Sequence, residues 1–208
     1  MLEYENLAKK KGFRIIIGVD EAGRGPLAGP VVASAVFLKE KKFRNKIRDS
    51  KKISPLLREK AFHEILEKAY VGIGIISEVG VDSLNILKAT HAAMATAVRH
   101  LISRLPKETA RKKNFKKKTC ILVDGNSFKT DLPYVFRTIV GGDDLSLSIA
   151  CASIVAKVTR DHLLNAYDKI FPQYGFRKHK GYPTKSHRKA IEEHGLSPIH
   201  RRTFRLTL

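Results

Sequence analysis

No apolar run in this 208-residue sequence approaches the roughly 20 residues that a membrane-spanning helix needs. The opening residues 1–12 are rich in Lys and Glu and carry no apolar signal core. Membrane insertion and export drop out as readings, and a cytoplasmic location is the expectation. Cysteine is scarce: Cys120 and Cys151 lack C-x-x-C spacing, so neither a disulfide framework nor a structural zinc site is indicated, and both read as buried thiols. No paired histidine spacing supports a histidine metal site, and no internal repeat is visible. The glycine-rich residues 23–29 lack both the spacing of a dinucleotide fingerprint and the Gly-Lys-Ser/Thr ending of a P-loop, which argues against nucleotide triphosphate binding. Acidic residues are also short, with 20 Asp and Glu against 40 Lys and Arg and a net charge of +20. Ten Phe and six Tyr supply core formers that a disordered polycation would lack. The charge therefore sits on one folded domain, and a polyanionic partner accounts for it, nucleic acid better than a membrane surface.

The apolar pattern predicts alternating strands and helices. Residues 14–19 form a β-branched run that reads as a buried strand closed by Asp20 and Glu21, and residues 31–38 give a second. A basic loop covers 39–52. Ser54 and Pro55 then open a helix through Tyr70, Ser54 as cap and Pro55 at the first helical position. A strand follows at 71–77, and one long helix at 83–105 on the spacing of Leu84, Leu87, His91, Met94, Val98 and Leu101. Residues 107–118 carry seven Lys or Arg in twelve positions, a solvated connection for which a plain loop and a nucleic-acid arm are equally open readings. Strands at 120–123 and 136–140 precede a long helix at about 146–170. The remainder is Gly/Pro-interrupted and basic, with one helix near 185–194. We take 1–170 as a catalytic core and 171–208 as a C-terminal basic helical segment of the same structural unit.

Three strands end in carboxylates: Asp20 with Glu21, then Asp124, then Asp143 with Asp144. Strand ends of an α/β sheet meet at one edge, so these acids can converge although Asp20 and Asp124 are more than 100 positions apart. Two like charges about 4 Å apart repel by roughly 4 kcal/mol at an effective dielectric of 20, and a divalent cation removes that conflict. All-oxygen ligands select Mg²⁺ or Mn²⁺, and a pair of such ions suits phosphodiester hydrolysis. Taken singly, each acid reads as a turn former or helix cap; Asp144 keeps that reading, as a cap for the 146–170 helix. Asp161 and Asp168 read as solvated or paired with Arg. Residues 23–29 are either a tight turn or exposed backbone able to approach a ligand beside the acids. His179-Lys180-Gly181-Tyr182-Pro183 and His200-Arg201-Arg202 combine imidazole, cations and an aromatic ring, a mixture suited to nucleic acid, with a basic surface tail as the alternative for 200–202.

These motifs, taken together, resemble the type 2 ribonuclease H family, ribonuclease HII. The run from Gly18 to Val36, containing Gly18-Val19-Asp20-Glu21-Ala22-Gly23-Arg24-Gly25-Pro26, is similar to its opening motif. Asp49-Ser50-Lys51-Lys52-Ile53-Ser54, Val123-Asp124-Gly125-Asn126, Gly142-Asp143-Asp144-Leu145-Ser146 with its continuation to Asp161, His179-Lys180-Gly181-Tyr182-Pro183-Thr184 and His200-Arg201-Arg202-Thr203-Phe204 follow in family order. The resemblance implies an α/β, ribonuclease H-like mixed central sheet flanked by helices, with a C-terminal helical segment that helps hold substrate. It implies four catalytic and metal-binding carboxylates, Asp20, Glu21, Asp124 and Asp143, served by Mn²⁺ or Mg²⁺ and by a pair of ions during catalysis. It also implies substrate contacts from Gly23, Arg24 and Gly25, which read the ribose 2′-hydroxyl, and from Lys51 and Tyr182. The expected partners are RNA/DNA hybrids and duplex DNA containing ribonucleotides, cut to leave 3′-hydroxyl and 5′-phosphate ends by a monomer. Gly142 departs from the Lys of many members, Cys151 from the usual Ala, and 107–118 reads as an enlarged loop. The short stretch before Asp20 favours this family over the related ribonuclease HIII, which places a substrate-binding domain there. A catalytically silent binder would gain nothing from acids facing a polyanion, and a DNA-only nuclease lacks a use for the Gly-Arg-Gly and tyrosine pair.

Overall fold

The computed structural model describes residues 1–111 and 113–205, the side chain of Lys51 excepted. The chain opens with α1 (Glu3–Lys10), then β1 (Ile15–Ala22) and β2 (Val31–Leu38), followed by α2 (Pro55–Lys68) and β3 (Ala69–Ile76). Helices α3 (Glu78–Leu84), α4 (Ile86–Arg104) and α5 (Lys107–Ala110) lead to β4 (Thr119–Asp124) and β5 (Val135–Ile139). Four more helices close the described chain: α6 (Gly142–Leu145), α7 (Leu147–Ile170), α8 (Phe176–His179) and α9 (Lys185–His194).

The five strands form one mixed sheet in the order β3-β2-β1-β4-β5, antiparallel from β3 to β1 and parallel from β1 to β5. Strand alternation sorts β1 between two cores. Ile15, Ile17 and Val19 pack with Met94, Ala97 and Val98 of α4, whereas Ile16 packs with Ile149 of α7. Gly18 lies on the α7 side, where a Cβ would collide with the Ser148 backbone, so its lack of a side chain is what lets α7 lie flat on the strand. This α/β architecture, with helices on both faces and a C-terminal helical segment, agrees with the reading from sequence.

Several local expectations change. β1 runs through Asp20 and Glu21 to Ala22, because Glu21 and Ala22 still pair with Ala33 and Val32 of β2. The single helix predicted at 83–105 is two. Asn85 adopts φ 68°, which Asn tolerates, and its side-chain oxygen accepts the Leu87 and Lys88 N–H groups at 3.1 Å each, ending α3 and capping α4 in one residue. The N-terminal residues, unassigned from sequence, form α1, and Glu5 accepts hydrogen bonds from Ser146 and Ser148 at the start of α7. The basic stretch 107–118 is anchored. Phe115 is buried in the α4-side core with its ring edge-on to Tyr134, while Lys113, Lys116, Lys117 and Lys118 face solvent. Cys120 and Cys151 are buried free thiols. No helix among the described residues is long and apolar enough to cross a membrane.

Candidate active site

The register of the parallel pair β1 and β4 builds the site. Val19 is level with Val123, so the next residues along, Asp20 and Asp124, are neighbours at the same sheet end. Asp20 follows Gly18 on the α7 side and is buried beside Ser153 of that helix. Glu21 takes the opposite face. All three carboxylates line one cleft of about 580 Å³, together with Gly23, Arg24, Gly25 and Tyr182.

Asp20 Oδ1 accepts the Glu21 N–H at 2.7 Å, Glu21 pairs with Arg24 at 3.3 Å, and Asp124 Oδ1 accepts the Gly142 N–H at 2.7 Å. Burial first, and then the charges of Glu21 and Asp124, hold the Asp20 carboxyl well above the usual carboxylate range. Burial raises Glu21 as well; the Arg24 guanidinium opposes that rise and Asp124 adds to it. Ionising all three at once therefore calls for a cation among them, and a donor set made only of oxygens suits a hard divalent ion. Among the described residues no three His, Cys, Asp or Glu side chains form a ready-made cage.

Asp143 sits half-buried in the first turn of α6, directly after the Gly142 whose N–H holds Asp124, and outside the wall of the cleft. Lys52 lies within range of its charge. Asp144 does not cap α7. Ser146 does so itself, accepting the Ile149 N–H at 3.3 Å, and Asp144 instead pairs with Lys52 on the surface. Asp161 pairs with Lys157 at 2.7 Å and Arg58 at 3.6 Å, and Asp168 accepts the Arg177 N–H at 3.0 Å. Lys51, the remaining sequence candidate, has its side chain outside the described residues.

The cleft also holds residues that motif reading missed: Ser50, Arg58, Ser153 and Lys157. Arg58 is buried and donates to the Ser50 carbonyl at 2.8 Å and the Ile53 carbonyl at 3.0 Å, fixing the 49–54 stretch against the site. The signal was available, because Arg58 shares a helical face with Ala61 and Ile65, both buried. The reading of 200–202 as a nucleic-acid contact or a surface tail fails for its first two residues. His200 and Arg201 are buried, since Ala28 bridges to His200 and the Arg201 side chain turns into the 23–29 loop.

A family description, Ribonuclease HII, matches residues 17–207. The chain belongs to the ribonuclease HII family. It is 50% identical to the ribonuclease HII of Ruminiclostridium cellulolyticum, over 98% of this chain and 75% of that protein. It is 46% identical to that of Syntrophus aciditrophicus, over 99% and 91%. Among solved structures, the ribonuclease HII of the Archaeoglobus fulgidus PCNA complex superposes with a TM-score of 0.72 at 21% identity, covering 94% of this chain and 97% of that one. Bst-RNase HIII in complex with Mn²⁺ gives 0.68 at 15% identity, covering 95% and 69%. These last two agree in fold. Membership in the ribonuclease HII family carries its reaction, divalent-metal-dependent endonucleolytic cleavage of RNA in RNA/DNA hybrids and of ribonucleotides embedded in DNA.

Proposed function

We propose that this ribonuclease HII cuts on the 5′ side of a ribonucleotide, leaving 3′-hydroxyl and 5′-phosphate ends, with Asp20, Glu21, Asp124 and Asp143 holding a pair of Mg²⁺ or Mn²⁺ ions. The observation that carries this reading is the meeting of carboxylates from two adjacent parallel strands with the 23–25 loop in one cleft. When bound, the ions supply a water nucleophile and stabilise the leaving oxygen. Asp20 and Glu21 hold them from β1, Asp124 from the end of β4, and Asp143 from α6. Asp144 is engaged by Lys52 on the surface, and Asp143 follows the Gly142 whose N–H holds Asp124, which supports Asp143 as the acid of that pair that serves the cleft.

Backbone groups of Gly23, Arg24 and Gly25 contact the 2′-hydroxyl, which is the feature that separates ribose from deoxyribose when base pairing is identical. Gly23, at φ 98° and packed against Arg160, admits no side chain. Tyr182, half-exposed and facing Gly25, packs on the neighbouring sugar, and Lys51 contacts the phosphate backbone. Residues 1–170 serve as catalytic core and 171–208 as the segment that holds substrate, in a chain working as a cytoplasmic monomer. The test is to strip the protein with chelator, add back Mg²⁺ or Mn²⁺ singly, and map the ends produced from duplex DNA carrying one ribonucleotide. Metal-restored cutting with 3′-hydroxyl and 5′-phosphate ends is the expected result; 2′,3′-cyclic phosphate ends, or activity indifferent to metal, would reject it.

A further inference from the structure

Two guanidinium groups lie fully buried behind the 23–30 loop, and neither has a carboxylate within ion-pair distance among the described residues. Their partners are peptide carbonyls. Arg201 donates to Gly23 (2.6 Å), Arg24 (2.9 Å), Pro26 (2.8 Å) and Gly29 (2.8 and 3.0 Å). Arg160, from the middle of α7, donates to Ala28 and Pro30, each at 3.0 Å. Burial lowers both groups to about 10, so both remain cations at neutral pH.

In a trans peptide the C=O and the N–H of the next residue point in opposite directions. Drawing the Gly23 and Arg24 carbonyls inward therefore turns the Arg24 and Gly25 N–H groups outward, on the side where these residues line the cleft. Arg160 also ties the loop to the segment carrying Tyr182: its third donor reaches the Lys180 carbonyl at 2.9 Å, and Leu27 N–H donates to the Gly181 carbonyl at 2.8 Å. Arg160 and this backbone bond together tie the loop that carries Gly25 to the segment that carries Tyr182. No lysine could reproduce this, because an ammonium is a point donor and these carbonyls are met by a rigid planar fork.

We infer that Arg160 and Arg201 are positioning residues that fix the peptide orientation of the 23–30 loop and so set the preference of the site for ribose over deoxyribose. The inference rests on the proposed reading of the 2′-hydroxyl by Gly23, Arg24 and Gly25. The two cations hold the donors still before substrate arrives, so no ordering cost falls on the encounter, and a lost fork costs selectivity as well as stability.

The experiment compares kcat/KM on two duplexes, one with a single ribonucleotide and one with a 2′-fluoro nucleotide in its place, a far poorer hydrogen-bond acceptor. Wild type, Arg201→Lys, Arg160→Lys and Gly25→Ala are measured at fixed salt and metal, with circular dichroism to establish that each variant is folded at the assay temperature. The ratio of the two rates should fall by about tenfold or more in both Lys variants and in Gly25→Ala, as expected for losing one well-aligned hydrogen bond to the hydroxyl. A merely structural role would lower both rates together and leave the ratio unchanged. If Gly25→Ala lowers the ratio and the folded Lys variants keep it within about twofold, the positioning role is overturned and the sugar-reading role stands. An unchanged ratio in all three variants overturns both. Should one Lys variant fail to fold, the other decides the outcome, since each arginine holds its own set of carbonyls.

Discussion

Asp124 and Gly142 are joined by a 2.7 Å hydrogen bond from the Gly142 N–H to Asp124 Oδ1, which ties the end of β4 to the turn carrying Asp143. One oxygen of Asp124, a residue that lines the cleft, is thereby committed to the turn that carries Asp143. An added Cβ at Gly142 would meet the Ile149 side chain at 2.7 Å and Asp124 Oδ1 at 3.3 Å, so a glycine here allows close packing against Asp124.

The substitution Asp124→Asn keeps an oxygen for the Gly142 N–H while removing the charge. If Asp124 holds metal as proposed, cleavage should fall by at least about 100-fold with hybrid affinity unchanged or increased, because the substitution removes a proposed metal ligand and a negative charge that would face phosphate. Electrophoretic binding and single-turnover cleavage on the same hybrid check it. Weakened binding with normal turnover would contradict it.

Nucleic-acid binding should weaken steeply with salt, with a log-log slope of about −0.9 per phosphate neutralised on B-form duplex and a somewhat different coefficient on a hybrid. Replacing Lys116 and Lys117 by Gln removes exposed charge from the 107–118 stretch while leaving its buried anchor Phe115 in place. A shallower slope in this variant makes the stretch a nucleic-acid contact; an identical slope makes it a solvated connection.

His187 and His200 meet through their Nε2 atoms at 3.0 Å, with His179 stacked on His187 at 4.2 Å between ring centroids. Burial first, and then neighbouring imidazoles, lowers both His187 and His200 from 6.5 to about 4. The unfolded chain therefore takes up protons before the folded one does. The stability these residues contribute is fully present above about pH 6.5 and is lost as pH falls toward about 4. Thermal melts should drop across that window, each kcal/mol lost appearing as about 2–4 °C. His187→Gln should flatten the drop even though it lowers the melt at neutral pH. A melting temperature constant from pH 7 to 4.5 would contradict the neutral pair.

Under the proposed packing of the ring on a deoxyribose, Tyr182→Ala should cost most on a single ribonucleotide in DNA and less on a continuous RNA strand paired to DNA. Rates on both substrates at equal salt and metal decide this. Equal losses would make the ring a general contact, and no loss on either would take it out of the site.

Strand periodicity, the Ser54-Pro55 helix start and the recurrence of acids after apolar runs made the sheet and three of its carboxylates legible in the sequence, because each rests on local pattern. Resemblance supplied the choice of Asp143 over Asp144 and the roles of Gly23, Arg24, Gly25 and Tyr182. Illegible were the features set by contacts distant in sequence. Arg201 looks like one cation in a basic tail until the chain folds and brings it 178 positions back onto Gly23. Asn85 reads as part of one helical face because its cap depends on backbone that periodicity ignores. Phe115 is hidden by the lysines around it. For Arg201 and Phe115 tertiary burial overrode a local composition that pointed to solvent, whereas Asn85 stays exposed and turns the chain by its own backbone and side-chain cap.

The central proposal is that the carboxylates of Asp20, Glu21 and Asp124 and a sugar-reading loop act in the one cleft that they line. Its most direct measurement is single-turnover cleavage by the wild-type protein of two otherwise identical DNA duplexes, one with a ribonucleotide at a single position and one fully deoxy, in the presence of Mg²⁺ or Mn²⁺. The account predicts one cut, immediately 5′ to the ribonucleotide, and an intact deoxy duplex. Comparable cutting of the deoxy duplex, or cuts scattered away from the ribonucleotide, would contradict it.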